Sequence, residues 1–170
     1  IQGARITGAA HIIAVDLVAE KSAKATELGA THFVTSFEEA TALVAELTKG
    51  VMADSAILTV GLVEGQMIGA ALDMVRKGGA VVLTGIASMT DVTPTLPMAM
   101  FTLFQKRLLG SLYGEANPRA DIPKLLSLYR DGQLLLDESV TTEYKLGDIN
   151  VAFDDMLAGH NIRGVILHDH

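Results

Sequence analysis

The sequence predicts an α/β fold, a doubly wound parallel sheet followed by a smaller α+β segment. Short runs rich in Val, Ile and Leu recur between His11 and Tyr113, and amphipathic helical stretches separate them. After Gly114 the chain turns polar and turn-rich before its last elements. Continuous apolar runs suit a parallel sheet covered on both faces, because neither side of such a strand meets water.

In chain order, His11 to Val15, His32 to Thr35, Ala56 to Val60, Ala80 to Thr84 and Leu108 to Tyr113 read as strands. Gly29 closes a helix ending at Leu28. Ser36 followed by Glu39 is a capping-box pattern ahead of Leu43, Val44 and Leu47, and Gly50 stands where that helix would stop. Ile68, Ala71, Leu72 and Val75 share one helical face, which Gly78-Gly79 breaks before the next strand. Gly61, Gly65 and Gly69, spaced by four, suit close packing rather than phosphate binding. Beyond the turn Glu115-Ala116-Asn117-Pro118-Arg119, the residues Ile122, Leu125, Leu126 and Tyr129 mark a helix stopping at Gly132. Ser139 to Tyr144 is β-branched and extended. Ile149, Ala152, Phe153, Met156 and Leu157 line a last helix, ended by Gly159 before the strand Val165-Ile166-Leu167. The expected division is residues 1–114 as a nucleotide-type domain and 115–170 as the smaller segment.

Composition narrows the function classes. A chain of 170 residues, 49% hydrophobic and 19% charged, has enough apolar material for a folded core and too much for a disordered chain. A formal charge of −7 has the wrong sign for wrapping nucleic acid. No window is apolar for long enough to span a membrane, and Ile1-Gln2-Gly3-Ala4-Arg5 lacks the layout of a signal peptide, so a cytoplasmic location is expected. With no Cys, thiolate zinc sites, disulfides and cysteine nucleophiles are absent from these residues.

In a dinucleotide-binding unit, an acidic residue at the end of the second strand accepts hydrogen bonds from the ribose hydroxyls, about twenty residues after a glycine-rich turn. Asp16, directly after Ile12-Ile13-Ala14-Val15, has that place, and no G-x-G-x-x-G occurs in the chain. By itself Asp16 reads equally as a solvated strand-end carboxylate. Lys21 could reach the same ribose or decorate a helix. Thr59-Val60-Gly61 and Thr84-Gly85-Ile86 stand at the carboxyl ends of later strands, where ligands of open α/β sheets lie and where a glycine lets backbone approach a flat ring. Those glycines could also simply turn the chain.

Gly8 to Asp16, Ala25-Thr26-Glu27-Leu28-Gly29-Ala30-Thr31 and Lys77-Gly78-Gly79 before a strand ending Thr84-Gly85 resemble the coenzyme-binding domain of zinc-containing medium-chain alcohol dehydrogenases. Leu103-Phe104-Gln105-Lys106, Gly110-Ser111-Leu112-Tyr113-Gly114, Asn117-Pro118, Asp121 to Ser127, Val140-Thr141-Thr142 and Asn161 to Ile166 are similar to the actinobacterial nitrosodimethylaniline-dependent, nicotinoprotein-type branch. The resemblance runs from Ile1 to about Leu167.

It implies a Rossmann-like sheet and an NAD-dependent oxidation of alcohols to aldehydes or ketones. It maps the ribose carboxylate to Asp16 and a ribose-contacting lysine to Lys21. Backbone contacts to the nicotinamide map to Thr84, Ile86, Ser111 and Tyr113, with Gly85 and Leu112 in the same stretches. Thr59, Val60 and Gly61 would pack beside the cofactor, and Arg163 would hold the pyrophosphate. NAD is favoured because a 2′-phosphate would set negative charge against Asp16. The resemblance further implies zinc in the full-length enzyme, bound by residues not in this chain, and a homo-oligomer, dimer or tetramer. In the branch named, the coenzyme would stay bound through turnover. No catalytic residue or metal ligand is expected here, and the first coenzyme strand with its glycine turn is missing. In the order 3-2-1-4-5-6 that strand is central, so two facing sheet edges would be left unpaired.

Other chemistry is weakly signalled. The five His have no i, i+4 pair and no accompanying carboxylates, and His168-Asp169-His170 reads as a loose tail that could scavenge metal. Asp154-Asp155 and Glu38-Glu39 read as solvated helix faces. Met98, Met100 and Phe101 suit a dimer contact or the core equally. Two rival functions stand beside the dehydrogenase. One is an S-adenosylmethionine-binding, methyltransferase-like domain with no use for Arg163; the other is a non-catalytic module.

Overall fold

The computed structural model describes residues 1–90 and 93–168. They divide into two compact units, one made of Ile1–Ile12, Glu20–His32 and Pro118–His170, the other of Ile13–Ala19 and Phe33–Asn117.

The second unit carries the nucleotide-type elements. β1 (Ile13–Val15) pairs with β2 (His32–Val34), and β3 (Ala53–Leu58), β4 (Val75–Leu83) and β5 (Arg107–Gly110) form a separate three-stranded sheet. The pairs β3–β4 and β4–β5 are parallel. Among the described residues no strand pairs with the second edge of β1 or the free edge of β3. Two strands in one sheet and three in another match the order 3-2-1-4-5-6 taken without its central strand.

The core of this unit lies where α4 (Gly65–Met74) packs on β3 and β4 and α3 (Phe37–Leu47) packs on α4. Ala40, Leu58, Val63, Ile68, Ala71, Leu72, Met74, Val75 and Val81 are buried together there. Register explains which strand residues turn inward. Ala56 pairs with Val81 and Leu58 with Leu83, so these share the covered face. Ile57, one residue out of phase, lies on the opposite face and is 58% exposed.

α3 starts as the sequence predicts, with the Ser36 hydroxyl accepting from the Glu39 amide at 3.1 Å. The Glu39 carboxylate, however, accepts from the Thr35 amide and hydroxyl. Those bonds from Thr35 hold its pKa below the ordinary range.

The helix expected to carry Val75 stops at Met74, and Val75 opens β4 opposite Ala53. Pairing resumes only at Ser55 with Ala80, so Gly78 and Gly79 lie in an irregular stretch of β4 instead of ending a helix. Gly78 has φ +69°, and its amide donates to the Phe104 carbonyl at 2.8 Å. Lys106 reaches back to the end of α4, its ammonium donating to the Leu72 carbonyl. α5 (Met98–Leu103) turns Phe101 toward the core and leaves Met98, Met100 and Leu103 exposed.

The first unit holds α1 (Gln2–Ile6), α2 (Ser22–Glu27), α6 (Pro118–Arg130) and α7 (Ile149–Ala158), with β6 (Val140–Lys145) and β7 (Arg163–Leu167) paired in parallel. The Gln2 side chain pairs with the Leu135 backbone, its Nε2 donating to the carbonyl and its Oε1 accepting from the amide, both at 2.7 Å. The Arg5 guanidinium donates to the Gln133 carbonyl. α6 and α7 keep much of their apolar faces exposed, including Ile122, Leu125, Phe153 and Leu157. No helix among the described residues is long and apolar enough to cross a membrane.

Candidate functional site

Ten of the twelve residues singled out from the sequence belong to the second unit, where they follow the carboxyl ends of its strands. Asp16 comes directly after β1; its amide donates to the Val34 carbonyl at 3.2 Å, and its Oδ1 accepts from the Val18 amide at 2.9 Å. That short turn sets the carboxylate at the strand end, since an Asx side chain bonding two residues on replaces a backbone turn.

β3 ends at Leu58, so Thr59, Val60 and Gly61 lie in the loop beyond it rather than in the strand. The loops after β3 and β4 are stitched together through one carbonyl. Leu58 O accepts from the Thr84 amide at 3.1 Å, the Thr84 hydroxyl at 3.0 Å and the Gly85 amide at 3.2 Å. Leu62 and Ile86 then form an isolated parallel bridge. β5 likewise stops at Gly110, short of Tyr113, and the Ser111 amide donates to the Leu83 carbonyl at 2.9 Å.

The two glycines at these strand ends differ. A Cβ on Gly85 would lie 2.2 Å from the Val60 carbonyl oxygen, so this glycine is required by its own chain. A Cβ on Gly61 would meet nothing within 4 Å, which leaves that backbone open. Gly65 and Gly69 serve close packing as expected: a Cβ on either would press on the carbonyl oxygen of Thr93 or Thr95.

The surface formed here is apolar and open. Ile86 is 69% exposed, Leu112 72% and Tyr113 90%. Tyr113, Gly114 and Glu115 all have positive φ, at 49°, 67° and 56°. For Tyr and Glu that region is uncommon, and non-glycine residues held there cluster at ligand sites.

Lys21 and Arg163 belong to the first unit. Lys21 is half-buried at the start of α2. Arg163 is exposed and opens β7, paired with Val140. Around it lies a network that sequence reasoning missed. α7 ends in a Schellman turn: the Gly159 amide (φ +73°) donates to Met156 O and the His160 amide to Asp155 O. The Asp155 carboxylate accepts from the Tyr144 hydroxyl at 2.8 Å and lies 3.2 Å from His160 Nδ1. The Asn161 amide group donates to the Tyr144 oxygen at 3.0 Å. Asp155 is thus not the solvated helix residue expected; its donors, Tyr144 first and His160 next, hold its pKa below the ordinary range. No spacing rule announces this cluster, because Tyr144 stands on another element.

Among the described residues no three His, Asp or Glu converge as metal ligands, and the chain has no Cys. These residues do not fit a zinc site. Asp169 and His170 of the expected tail lie outside the described residues.

The chain belongs to the zinc-binding dehydrogenase family, which matches residues 1–131. It is 51% identical over 168 residues to an NDMA-dependent alcohol dehydrogenase of Amycolatopsis methanolica, covering 99% of this chain and 45% of that protein. It is 47% identical over 166 residues to alcohol dehydrogenase B of Mycobacterium tuberculosis, covering 98% and 44%. The chain therefore spans slightly under half the length of these relatives. Among solved structures, benzyl alcohol dehydrogenase from Acinetobacter calcoaceticus superposes with a TM-score of 0.88 at 28% identity, over 97% of this chain and 44% of that one. An alcohol dehydrogenase zinc-binding domain protein from Burkholderia ambifaria gives 0.89 at 29% identity, over 99% and 45%.

Proposed function

We propose that this chain is the coenzyme-binding portion of an NAD-dependent, zinc-containing alcohol dehydrogenase that oxidises alcohols to aldehydes or ketones. The observation that carries this reading is the cluster at the strand ends: Asp16 after β1 and the exposed loops after β3, β4 and β5 stand on the edge where doubly wound sheets bind dinucleotides. NAD held there would supply the acceptor for the hydride on the alcohol carbon, with the hydroxyl proton passing to solvent.

In this reading Asp16 accepts the ribose hydroxyls, with Lys21 beside the same sugar, and repels a 2′-phosphate. The backbone at Thr84, Gly85 and Ile86 and at Ser111, Leu112 and Tyr113 faces the nicotinamide, while Thr59, Val60 and Gly61 pack beside it. Arg163 holds the pyrophosphate, for which a planar guanidinium with paired donors is suited. Residues 1–114 are the coenzyme-binding part and 115–170 the segment that packs on a catalytic domain. Zinc would be held outside these residues.

By analogy with the Amycolatopsis relative's dependence on NDMA, the coenzyme stays on the protein through turnover and an external carrier takes the electrons. A cytoplasmic homo-oligomer, dimer or tetramer, completes the reading. Family membership disfavours the S-adenosylmethionine and non-catalytic alternatives.

The test is a fluorescence titration of the full natural polypeptide, freed of any resident coenzyme, with NADH and NADPH. Wild type should bind NADH at least about tenfold more tightly, and Asp16→Asn should lose about one to two powers of ten for NADH, the scale of a lost charged hydrogen bond. Equal binding of both coenzymes, unchanged in Asp16→Asn, would overturn the assignment.

A further inference from the structure

The backbone that carries Arg163 is fixed on both sides. On one side the Ile162 amide donates to the Thr141 hydroxyl at 3.0 Å. On the other, Gly164 lies against the Tyr144 ring, so close that a Cβ there would be 2.8 Å from Cε2. Tyr144 is therefore the floor under the start of β7, and it is only 8% exposed. Its hydroxyl is held by Asp155 and in turn receives Asn161, two residues before Arg163. The same carboxylate lies against His160, and the Asp155 carbonyl receives the His160 amide. One residue of α7 thus engages Tyr144 in β6 directly and the turn that delivers Arg163.

We propose that Asp155 is a positioning residue for Arg163: by holding Tyr144 and the turn after α7, it fixes where the guanidinium is offered to a dinucleotide pyrophosphate. This rests on the reading of Arg163 given above. An exposed arginine on a loose strand end would have to order its backbone as well as its side chain on binding, and each immobilised element weakens affinity. A preset backbone leaves only the side chain to order. The bond from Tyr144 is charge-assisted, since the Asp155 carboxylate stays ionised through the neutral range, and such bonds are roughly twice as strong as neutral ones.

The experiment is a double-mutant cycle in the full natural polypeptide, read by NADH titration and by hydrogen exchange at the amides of residues 161–165. Asp155→Ala should weaken NADH binding about tenfold, or about 1.4 kcal/mol. Tyr144→Phe, which keeps the ring under Gly164, should weaken it about threefold and serves if the alanine variant fails to fold. Neither should weaken binding further once Arg163→Gln is present, because the carboxylate acts through that arginine. Exchange at residues 161–165 should quicken in both single variants.

An Asp155→Ala effect that persists in full beside Arg163→Gln would overturn the proposal, as would unchanged affinity of Asp155→Ala where Arg163→Gln itself weakens binding. If Arg163→Gln itself binds NADH as wild type does, the pyrophosphate reading fails. The positioning claim is then decided by exchange alone, supported by faster exchange at 161–165 and overturned by none.

Discussion

Gly85 passes so near Val60 that a side-chain carbon on it would stand 2.2 Å from the Val60 carbonyl oxygen. Together with the three donors that meet at Leu58 O, this contact joins the loops after β3 and β4 into one surface. Because the obstacle is backbone, it cannot rotate away. Gly85→Ala should therefore destabilise the protein by about 1–3 kcal/mol, as overpacking does, and should lower coenzyme affinity with it. Gly61→Ala, with open space around the Cβ, should leave the fold intact. Thermal denaturation of the two variants decides this; equal melting temperatures would refute the contact.

Lys106 secures the point where α4 runs into β4 without a loop. Its ammonium donates to the Leu72 carbonyl, which also receives the Val75 amide, and it lies 5.8 Å from the Phe104 ring centre. Lys106→Met should cost about 0.5–1.5 kcal/mol, the usual net worth of one hydrogen bond. Burial lowers the Lys106 pKa, partly offset by the nearby Asp73 carboxylate. A lysine that deprotonates more readily folded than unfolded makes stability rise with pH as the folded, then the unfolded, group loses its proton. Urea titrations between neutral pH and about pH 10.4, the ordinary lysine value, should show that rise in wild type and its loss in Lys106→Met.

The Asp155 cluster gives a dependence of the same sign at the acid end. Its carboxyl pKa is lowered by the Tyr144 hydroxyl and then by His160. Its contribution is complete above the unfolded value, about 3.9, and disappears as pH falls through the lower folded one. The stability difference between wild type and Asp155→Asn should be constant near neutrality and shrink below about pH 4. A difference that grows on acidification would contradict the geometry.

The free edges of β1 and β3 expose rows of backbone donors and acceptors that invite pairing with other chains. Residues 1–170 expressed alone should aggregate, and coexpression with a segment supplying the central strand should restore solubility. A cooperative melt and a monodisperse preparation without that segment would show that no strand is needed there.

Much of this was legible in the sequence because the physics is local. Strand runs, the Ser36 cap and the glycines at 29, 50, 132 and 159 follow from burial, hydrogen bonding and φ. That β1 and β3 belong to separate sheets followed from counting strands against a known order. Boundaries were less legible. Val75 satisfies a helical period and a strand equally well, and only its pairing with Ala53 decides. Thr59, Val60 and Ser111 to Tyr113 have strand-like composition yet lie beyond the ends of β3 and β5. The Tyr144–Asp155–Asn161 cluster was invisible because hydrogen bonds between elements leave no periodic trace. Gly85 and Gly61 look alike in sequence and are separated only by what stands beside them.

The proposed function requires that hydride pass from an alcohol to a nicotinamide held by these strand-end loops. The most direct measurement is isotopic. The full natural polypeptide, loaded with NAD, is given 1,1-dideuterated ethanol, butanol and benzyl alcohol without any external acceptor, then denatured, and the released coenzyme is weighed by mass spectrometry. NADH carrying one deuterium is expected from at least one of these alcohols. Coenzyme recovered as unlabelled NAD throughout, from protein shown by titration to bind it, would contradict it.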